Sequence, residues 1–254
     1  MSLHSVPFAY PFPRPAVTCD AVVFTMRAGE LAVLLIRRKE APFKGSWALP
    51  GGYVNENESI ERAAARELSE ETGITGARLE QIGAFGDPGR DPRGHTITIA
   101  YLSFLVAEPK ITPGDDAVDA QWHAYRSLVL NVEVPPSRTS AKRTKRSSAV
   151  RRPAPRPSTS GHIQLAFDHA RIVSLAYRRL CQHLEDPIRD RTFDLLPSRF
   201  TLTELQHFYE VVLGRKLPQR AFKKRLLDKQ FVVPASSKPT RKPADQLYRW
   251  NRPR

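Results

Sequence analysis

The stretch from residue 52 to residue 74 constrains this chain more than any other, because it gathers carboxylates on one short segment. It reads GYVNENESIERAAARELSEETGI. Its apolar residues recur at intervals of four: Ile60, Ala64 and Leu68. This period predicts an amphipathic helix over Ser59–Thr72 that docks one face on a core. Gly73 stands where a glycine commonly ends a helix.

Three glutamates fall together beside that apolar face. At about 100° per residue, Glu67, Glu70 and Glu71 share one flank with Ala63, whose small side chain leaves space around them. Like charges at this spacing cost roughly 0.2–0.5 kcal/mol per pair, and Arg66 offsets only part of that cost. A bound divalent cation would offset the rest, and oxygen donors favour Mg²⁺ or Mn²⁺ over zinc. A solvated acidic helix face is the alternative, because most glutamate runs are of that kind.

The whole segment resembles the Nudix box, G-x5-E-x7-R-E-U-x-E-E-x-G-U with U aliphatic, and matches it at every fixed position. The matching residues are Gly52, Glu58, Arg66, Glu67, Leu68, Glu70, Glu71, Gly73 and Ile74. The resemblance implies an α+β fold, the Nudix α/β/α sandwich with a mixed sheet, acting on nucleoside diphosphate derivatives. It also implies roles for box residues: the Gly52 carbonyl, Glu67 and Glu71 as metal ligands, Glu70 as a further ligand or the base, and Arg66 and Glu58 as groups that orient the helix carboxylates.

Two β-rich runs precede the box. Val17–Thr25 and Leu31–Arg37 are separated by a glycine-containing turn, which predicts a hairpin. By the resemblance, an arginine near its exit binds substrate phosphate, and Arg37 and Arg38 are the candidates. For either one, a surface position on the strand is the alternative. Trp47 lies in the loop that leads to the box and either stacks on a base or, as we favour, fills the core.

A loop rich in glycine and proline, Gly86–Gly94, separates predicted strands over Leu79–Phe85 and His95–Val106. The segment FGDPGRDPRG resembles a stretch shared by ADP-ribose-handling Nudix proteins and a related group of transcriptional regulators. Arg90, Asp91 and Arg93 are therefore candidate contacts to ribose or phosphate. They could equally be ordinary loop residues.

Two aspartates precede a further predicted strand, Ala120–Tyr125. In the Nudix pattern a carboxylate often lies here, near the metals, so Asp115 or Asp116 is a candidate metal ligand or a group that positions water. Either residue also suits the cap of a helix or turn, which is the interpretation we prefer.

Charge is distributed unevenly along the 254 residues, whose formal net charge is +14. Residues 1–130 have 13 basic and 16 acidic side chains, a net −3, whereas residues 131–254 have 27 and 10, a net +17. Such asymmetry predicts an acidic partner for the second half, most often nucleic acid. A basic surface that only improves solubility is the alternative.

Composition excludes several classes of protein. Cys19 and Cys181 are the two cysteines and have no metal or redox spacing, so a disulfide framework is not expected. Prolines interrupt the apolar residues at the N-terminus, and no apolar run approaches the length of a membrane span. We therefore expect a soluble cytoplasmic protein with no membrane partner.

The middle of the chain changes character. Residues 134–160 consist largely of Pro, Ser, Lys and Arg, which predicts a disordered basic insertion. A helix follows, with Asp168 as a candidate N-cap and a period-four apolar face: Ile172, Ala176, Leu180 and Leu184. The predicted organisation is a flexible N-terminus (1–14), a Nudix domain (15–186) that contains the insertion, and a second domain (187–254).

The second domain begins with two helix signals. Thr201–Glu204 has the pattern of a capping box, and Gly214 ends that helix. A short turn leads to Pro218, a favourable first helical residue, and then to a second helix over Gln219–Lys229. The apolar faces consist of Leu205, Phe208 and Val212 in the first helix and of Phe222 and Leu226 in the second.

Phe231–Val233 and Leu247–Trp250 are predicted strands joined by a basic loop. Helix, turn, basic helix and hairpin form the plan of a winged helix-turn-helix, in which the second helix enters the DNA major groove and the wing meets phosphates. The candidate DNA contacts are Arg220, Lys223 and Lys224 on the helix and Lys238, Arg241 and Lys242 on the wing. A protein-binding wing or a dimerisation module is the alternative.

From about Pro15 to Asn251, apart from the insertion, the chain resembles the Nudix-related transcriptional regulators of NAD metabolism. These join an ADP-ribose-sensing Nudix domain to a C-terminal winged helix and act as homodimers on double-stranded DNA. Many have an eroded box, whereas every box position is intact here. The resemblance therefore implies an ADP-ribose sensor that also cleaves its ligand to AMP and ribose 5-phosphate. The alternative is a plain pyrophosphohydrolase whose C-terminal domain serves assembly or partner binding.

Overall fold

The structure, a computed structural model, describes residues 11–106, 109–112, 117–130, 162–187, 197–236 and 246–251. Several predictions lie outside these residues: the basic insertion 134–160, the candidate metal ligands Asp115 and Asp116, and the wing residues Lys238, Arg241 and Lys242. No helix in the described part of the chain is long and apolar enough to cross a membrane.

A mixed seven-stranded sheet forms the centre of the first domain. Strands β1 (Ala16–Arg27) and β2 (Glu30–Arg38) form the predicted antiparallel hairpin, and β1 pairs in parallel with β6 (Thr96–Leu105). The other strands are β3 (Trp47–Ala48), β4 (Gly51–Tyr53), β5 (Glu80–Phe85) and β7 (Ala117–Ala124). The order is β3-β2-β1-β6-β5, with β4 paired to β1 and β7 to β2, so β4 and β7 extend the antiparallel pairing of the hairpin.

Two helices cover the sheet, one on each face, which confirms the predicted sandwich. Helix α1 (Ile60–Thr72) packs with Ala21 and Val23 of β1, whereas α2 (His169–Glu185) packs with Val22 and Phe24. Because both faces of β1 are buried, its sequence is a continuous apolar run rather than an alternating one. The four residues predicted to line the apolar face of α2 are all buried: Ile172, Ala176, Leu180 and Leu184.

The C-terminal domain has the predicted winged-helix plan. Helix α3 (Leu202–Leu213) begins at a capping box in which Thr201 and Glu204 satisfy each other's backbone N–H, and it ends at Gly214 with φ +63°. Helix α4 (Gln219–Asp228) follows, with Pro218 at its N-cap rather than inside its first turn. A small antiparallel sheet completes the domain, in the order β8 (Phe200–Thr201), β10 (Leu247–Trp250), β9 (Val232–Pro234).

The two domains share one hydrophobic core across their seam. The ring of Phe104 on β6 meets the ring of Phe208 on α3 edge-on, with centroids 5.5 Å apart. The Tyr177 hydroxyl of α2 donates to the Val212 carbonyl of α3 over 2.7 Å. At the far end of α2, Arg225 of α4 donates to the Glu185 carbonyl over 3.1 Å. Helix α2 therefore contacts both helices of the winged-helix domain.

Candidate metal and nucleotide site

Helix α1 positions the acidic residues of the site. The Ser59 side chain accepts from the Arg62 N–H at its start, and Gly73 ends it in the left-handed conformation at φ +74°, as the sequence predicted. Ala63 and Leu68 are buried against the sheet, and this docking turns Glu67 and Glu71 towards β4. We call the space between this flank of α1 and β4 the acidic notch.

Arg66 holds the carboxylates of the acidic notch together. Its Nε and Nη2 donate to the two oxygens of Glu58 over 2.8 and 2.9 Å. Its Nη1 donates to Glu67 and Glu70 over 2.7 and 3.0 Å, and Nη2 also donates to the Tyr53 carbonyl over 3.0 Å. The hydrogen bonds from Arg66 lower the pKa of the Glu58 carboxyl to about 2. The guanidinium thus has an acceptor for each of its five N–H groups.

Burial raises the pKa of two carboxyls in the notch. The pKa of Glu71 rises to about 8, although its Oε2 accepts from the Gly51 N–H over 2.8 Å, and the pKa of Glu67 also rises. The Glu70 side chain is 60% exposed. A carboxylate that water solvates poorly is stabilised by a nearby cation. Glu67, Glu71 and the Gly52 carbonyl are hard oxygen donors of the kind that Mg²⁺ and Mn²⁺ bind.

Arg66 provides the positive charge of the notch in this conformation. Over the described residues, no three His, Cys, Asp or Glu side chains converge in a ready-made metal centre. Glu67 and Glu70 do not converge on a common point with Glu71, because both form ion pairs with Arg66. The donor set is suited to a divalent cation, and binding one requires Glu67 to share its oxygens between that cation and Arg66.

Two glycines allow β4 to approach both the notch and β1. A Cβ on Gly52 would lie 2.5 Å from the Glu67 carboxylate, and a Cβ on Gly51 would lie 2.1 Å from the Cys19 carbonyl. Real Cβ atoms do not approach so closely, so either substitution forces a shift. The neighbour of Gly52 is the end of a flexible side chain, whereas the neighbour of Gly51 is backbone.

This difference predicts that the two alanine substitutions affect different properties of the protein. Gly52→Ala displaces the Glu67 carboxylate and is expected to lower the rate of metal-dependent substrate hydrolysis about tenfold, with the melting temperature nearly unchanged. Gly51→Ala is expected to lower the melting temperature itself, because the Cys19 backbone must move. Thermal unfolding and product release, measured on both variants, check the prediction. A Gly52→Ala protein with full activity would contradict the placement of Glu67.

An arginine-lined cavity of about 100 Å³ is bordered by β4, the strand that also borders the notch. We call it the arginine pocket. Its lining includes three of the predicted substrate-binding residues, Arg38, Arg90 and Arg93, together with Gly51 and Gly52. Strand β4 therefore borders both the carboxylates of the notch and the guanidinium groups of the pocket, so a cluster of hard oxygen donors lies next to a cluster of cations.

Arg38 and Arg93 lie against aromatic rings in the pocket. The Arg38 guanidinium lies 4.8 Å from the centre of the Phe167 ring, and that of Arg93 lies 5.2 Å from the Tyr53 ring. Arg93 also makes a bidentate pair with the buried Asp91, whose Oδ2 is 2.7 Å from Nη2. An arginine stacked on a ring can still donate in its plane to acceptors such as phosphate oxygens. In Arg93 the Nε–Nη2 edge donates to Asp91, so Nη1 is the group that would donate to such an acceptor.

Arg37 and Trp47, the other two predicted substrate contacts, do not line this pocket. Arg37 is exposed and donates to the Gly45 carbonyl over 3.1 Å. The Trp47 ring packs edge-on against His123, with centroids 4.3 Å apart, at the border of the main core. Of the two arginines at the exit of β2, it is Arg38 that faces the pocket.

The pocket residues that the sequence did not predict include Asp20, Phe167 and His169. His169 Nδ1 accepts from the Leu49 N–H over 2.9 Å, so the proton of the neutral ring is on Nε2, 3.6 Å from Asp20 Oδ1. Burial lowers the pKa of His169, which keeps the ring neutral. The available signals were an acidic residue within the apolar run of β1 and the Phe-Asp-His sequence at the start of α2.

The prediction that Asp168 lies at the N-cap of α2 is confirmed, but its side chain has a different role from a cap. The side chain makes no capping hydrogen bond. Its carboxylate instead accepts from Nε and Nη2 of Arg90 over 3.0 and 2.6 Å. A buried guanidinium needs a charged partner more than a helix end needs a cap, because a helix end can be solvated by water.

Helix α4 presents the basic side chains predicted to contact DNA. Arg220 and Lys224 are exposed and Lys223 is half-buried, whereas Phe222 and Leu226 face the core of the domain. The amphipathic pattern therefore leaves a cationic face on the second helix of the helix-turn-helix, which is the helix that reads the major groove in such domains.

The fold and the site together define a class of protein. Residues 15–144 match the NUDIX domain, and residues 192–250 match the NrtR DNA-binding winged helix domain. The chain therefore belongs to the Nudix family. It is similar over almost its whole length to the ADPR responsive transcriptional repressor NtrR of Acinetobacter baylyi, with 32% identity over 245 residues that cover 94% of this chain and 83% of that protein.

Two further relatives resemble the chain, the first over part of its length and the second over most of it. An ADP-ribose pyrophosphatase of Methanocaldococcus jannaschii is 39% identical over 115 residues, and the match spans 45% of this chain and 65% of that enzyme. The crystal structure of Shewanella oneidensis NrtR has a TM-score of 0.63 and 29% identity, covering 92% of this chain and 94% of that one. The same protein was solved with a 27mer DNA (TM-score 0.61, 27% identity, coverage 92% and 93%), and its NUDIX domain with ADP ribose (0.52, 28%, 68% and 94%).

Proposed function

We propose that this chain is a DNA-binding transcriptional regulator whose Nudix domain binds ADP-ribose and, with Mg²⁺ or Mn²⁺, hydrolyses it to AMP and ribose 5-phosphate. The observation that supports this best is the position of Gly52, whose strand borders both the carboxylates of the acidic notch and the arginine pocket. A diphosphate needs both surfaces, because its oxygens bind both the divalent cation that the carboxylates would hold and the guanidinium groups of the pocket.

The residues of the chain divide the work on the diphosphate. Arg38 and Arg93 supply fixed positive charge to the phosphates from the pocket side. Glu67, Glu71 and the Gly52 carbonyl would hold the divalent cation, which supplies charge neutralisation and an activated water. Glu70 is a further ligand or the base, since its exposed carboxylate can reach water at the open side of the notch.

Arg66 and Glu58 support these roles without contacting substrate. The bidentate pair between them fixes the guanidinium, and the guanidinium in turn fixes one oxygen of Glu67. Preorganised groups of this kind lower the cost of assembling a catalytic site. We assign both as positioning residues of the notch.

The C-terminal domain supplies the DNA-binding half of the proposal. Arg220, Lys223 and Lys224 on α4 suit a duplex, and residues 187–254, with 16 basic and 6 acidic side chains and so a net +10, suit its phosphates. The relatives named above include an ADPR responsive repressor and a regulator solved with DNA. We further propose that the chain acts as a homodimer in the cytoplasm, as its resemblance to these regulators implies.

Duplex-DNA binding measured at several salt concentrations tests this function. The DNA is a duplex selected by the protein from a random-sequence library, and each titration is repeated with ADP-ribose. A regulator is expected to show a steep dependence on salt and, in addition, an ADP-ribose-linked change in affinity of at least about fivefold. A plain pyrophosphohydrolase would release AMP but show neither sequence preference nor a ligand effect, and that result would overturn the regulatory half.

A further inference from the structure

Arg90 connects the arginine pocket to helix α2. Its side chain lines the pocket but is only 5% exposed, and both of its donating nitrogens point at Asp168, the residue that immediately precedes α2. The same Nη2 that donates to Asp168 lies 3.9 Å from Asp20 Oδ2. The Asp168 carboxylate therefore connects the start of α2 to the Arg90 guanidinium, which also lines the arginine pocket.

The opposite part of α2 is held by the winged-helix domain. The Tyr177 hydroxyl donates to the Val212 carbonyl in α3, and the Glu185 carbonyl accepts from Arg225 in α4. Arg225 belongs to the same helix as the cationic residues proposed to contact DNA. A shift of α2 would therefore be transmitted to both helices of the helix-turn-helix.

A diphosphate in the pocket would compete with Asp168 for Arg90. The phosphate oxygens and the Asp168 carboxylate are both anions, and Arg90 already has Asp20 as a second acidic neighbour. Adding another anion to a site with one buried guanidinium raises repulsion unless a carboxylate moves away. Asp168, 20% exposed, is free to turn towards solvent, whereas Asp20 is fixed in the sheet and accepts from the Thr98 hydroxyl over 2.6 Å.

We propose that the ion pair between Arg90 and Asp168 responds to the bound ligand. The diphosphate replaces Asp168 as the partner of Arg90, and this frees the start of α2. The movement of α2 then couples the nucleotide pocket to the winged-helix domain. The inference rests on the proposed function and adds its regulation. Arg90 has two discrete partners, Asp168 or phosphate, and the ligand shifts the balance between them. A physical coupling requires such a two-state element.

Three variants and the wild-type full chain test this inference. Asp168→Asn weakens the interaction with Arg90, because it removes the negative charge but conserves the shape of the side chain. Asp87→Asn is the matched control, because Asp87 pairs with Arg171 and so joins the same loop to the same helix, but both side chains are well exposed and neither lines the pocket. Tyr177→Phe removes the hydroxyl contact with α3 at the far side. The probes are the library-selected duplex and an ADP-ribose analogue with a methylene group in place of the bridging oxygen.

The measured quantity is the coupling factor, the ratio of duplex affinities without and with the analogue. We expect a factor of about ten in the wild type and in Asp87→Asn, and a factor below about two in Asp168→Asn. Asp168→Asn should also bind the analogue several-fold more tightly, because the phosphate no longer competes with a carboxylate. Tyr177→Phe should bind the analogue as the wild type does and show a reduced coupling factor.

Each other outcome overturns the inference. Full coupling in both Asp168→Asn and Tyr177→Phe, with the wild type binding both ligands, refutes the inference and leaves the proposed function intact. Equal loss in Asp168→Asn and Asp87→Asn attributes the effect to general loosening of the loop and also refutes it. A wild type that binds no analogue, or no duplex, refutes the proposed function together with it. Should Asp168→Asn fail to fold, Tyr177→Phe alone decides, with coupling retained counting against the inference.

Discussion

Glu67→Gln is expected to lower Mg²⁺-dependent release of AMP from ADP-ribose by about a thousandfold while the fold stays intact. The amide keeps the shape of the side chain and its acceptor towards Arg66 Nη1, which now contacts Glu67 over 2.7 Å. It removes the negative charge that a divalent cation requires. Metal stabilisation of phosphoryl transfer contributes several kcal/mol, and each ~1.36 kcal/mol is tenfold in rate.

Chromatographic quantification of AMP, with thermal unfolding as the test of the fold, measures this effect. Glu61→Gln is the matched control, because Glu61 lies on the same helix in its first turn and is exposed, away from the notch. The control should release AMP at the wild-type rate. Wild-type protein that releases no AMP would limit the Nudix domain to binding, and an active Glu67→Gln variant would remove Glu67 from the metal site.

The double substitution Lys223→Ala and Lys224→Ala is expected to weaken duplex binding by about 30- to 100-fold, or roughly 2–3 kcal/mol. On α4, Lys224 is exposed and Lys223 is half-buried, and Phe222 next to them is buried and unchanged. Loss of two phosphate contacts should also reduce the slope of log affinity against log salt by about two. Release of AMP should be unaffected, since neither residue lines the pocket.

A charge-matched control separates specific contacts from bulk charge. Lys44→Ala with Lys110→Ala removes the same two positive charges from the exposed surface of the Nudix domain. This control should bind the duplex almost as the wild type does. Equal weakening in both double variants would show nonspecific attraction, and unchanged affinity in the α4 variant would move the DNA contact to another surface.

The elements that the sequence predicted are those with local signals. The period of α1 together with Ser59 and Gly73, and the capping box at the start of α3, each lie within a few residues of the helix they define. Strand β8 has two residues and exists because Phe200 and Thr201 pair with β10, more than forty positions further on. No local pattern specifies such a pairing, so this strand was missed.

The candidate site likewise has one part with a local signal in the sequence and one part without. The carboxylates of the notch follow from one contiguous motif. The pocket is assembled from distant segments: Arg90 and Asp168 are 78 positions apart, on either side of the basic insertion. Arg38 could not be separated from Arg37 by sequence, because neighbouring strand residues face opposite sides and the register decides which side faces the pocket.

The position of Phe167 shows why part of the pocket depends on tertiary structure. Its backbone has φ +52°, which is uncommon for a residue with a side chain, and the ring contacts both Phe43 and the guanidinium of Arg38. The segment before α2 adopts this conformation because Leu165 and Ala166 pair with Trp47 at the edge of the sheet. The period-four apolar pattern predicts the helix that follows, but no local pattern places its first residues at the ligand site.

Calorimetric titration of the methylene analogue of ADP-ribose, with Mg²⁺, with Mn²⁺ and with a chelator, tests most directly whether carboxylates and arginines bind one diphosphate together. We predict that the wild type binds the analogue with either cation and at least tenfold more weakly with the chelator, and that Glu67→Gln loses the cation dependence. Failure of the protein to bind Mg²⁺ or Mn²⁺, with or without the analogue, would contradict the assignment of the acidic notch.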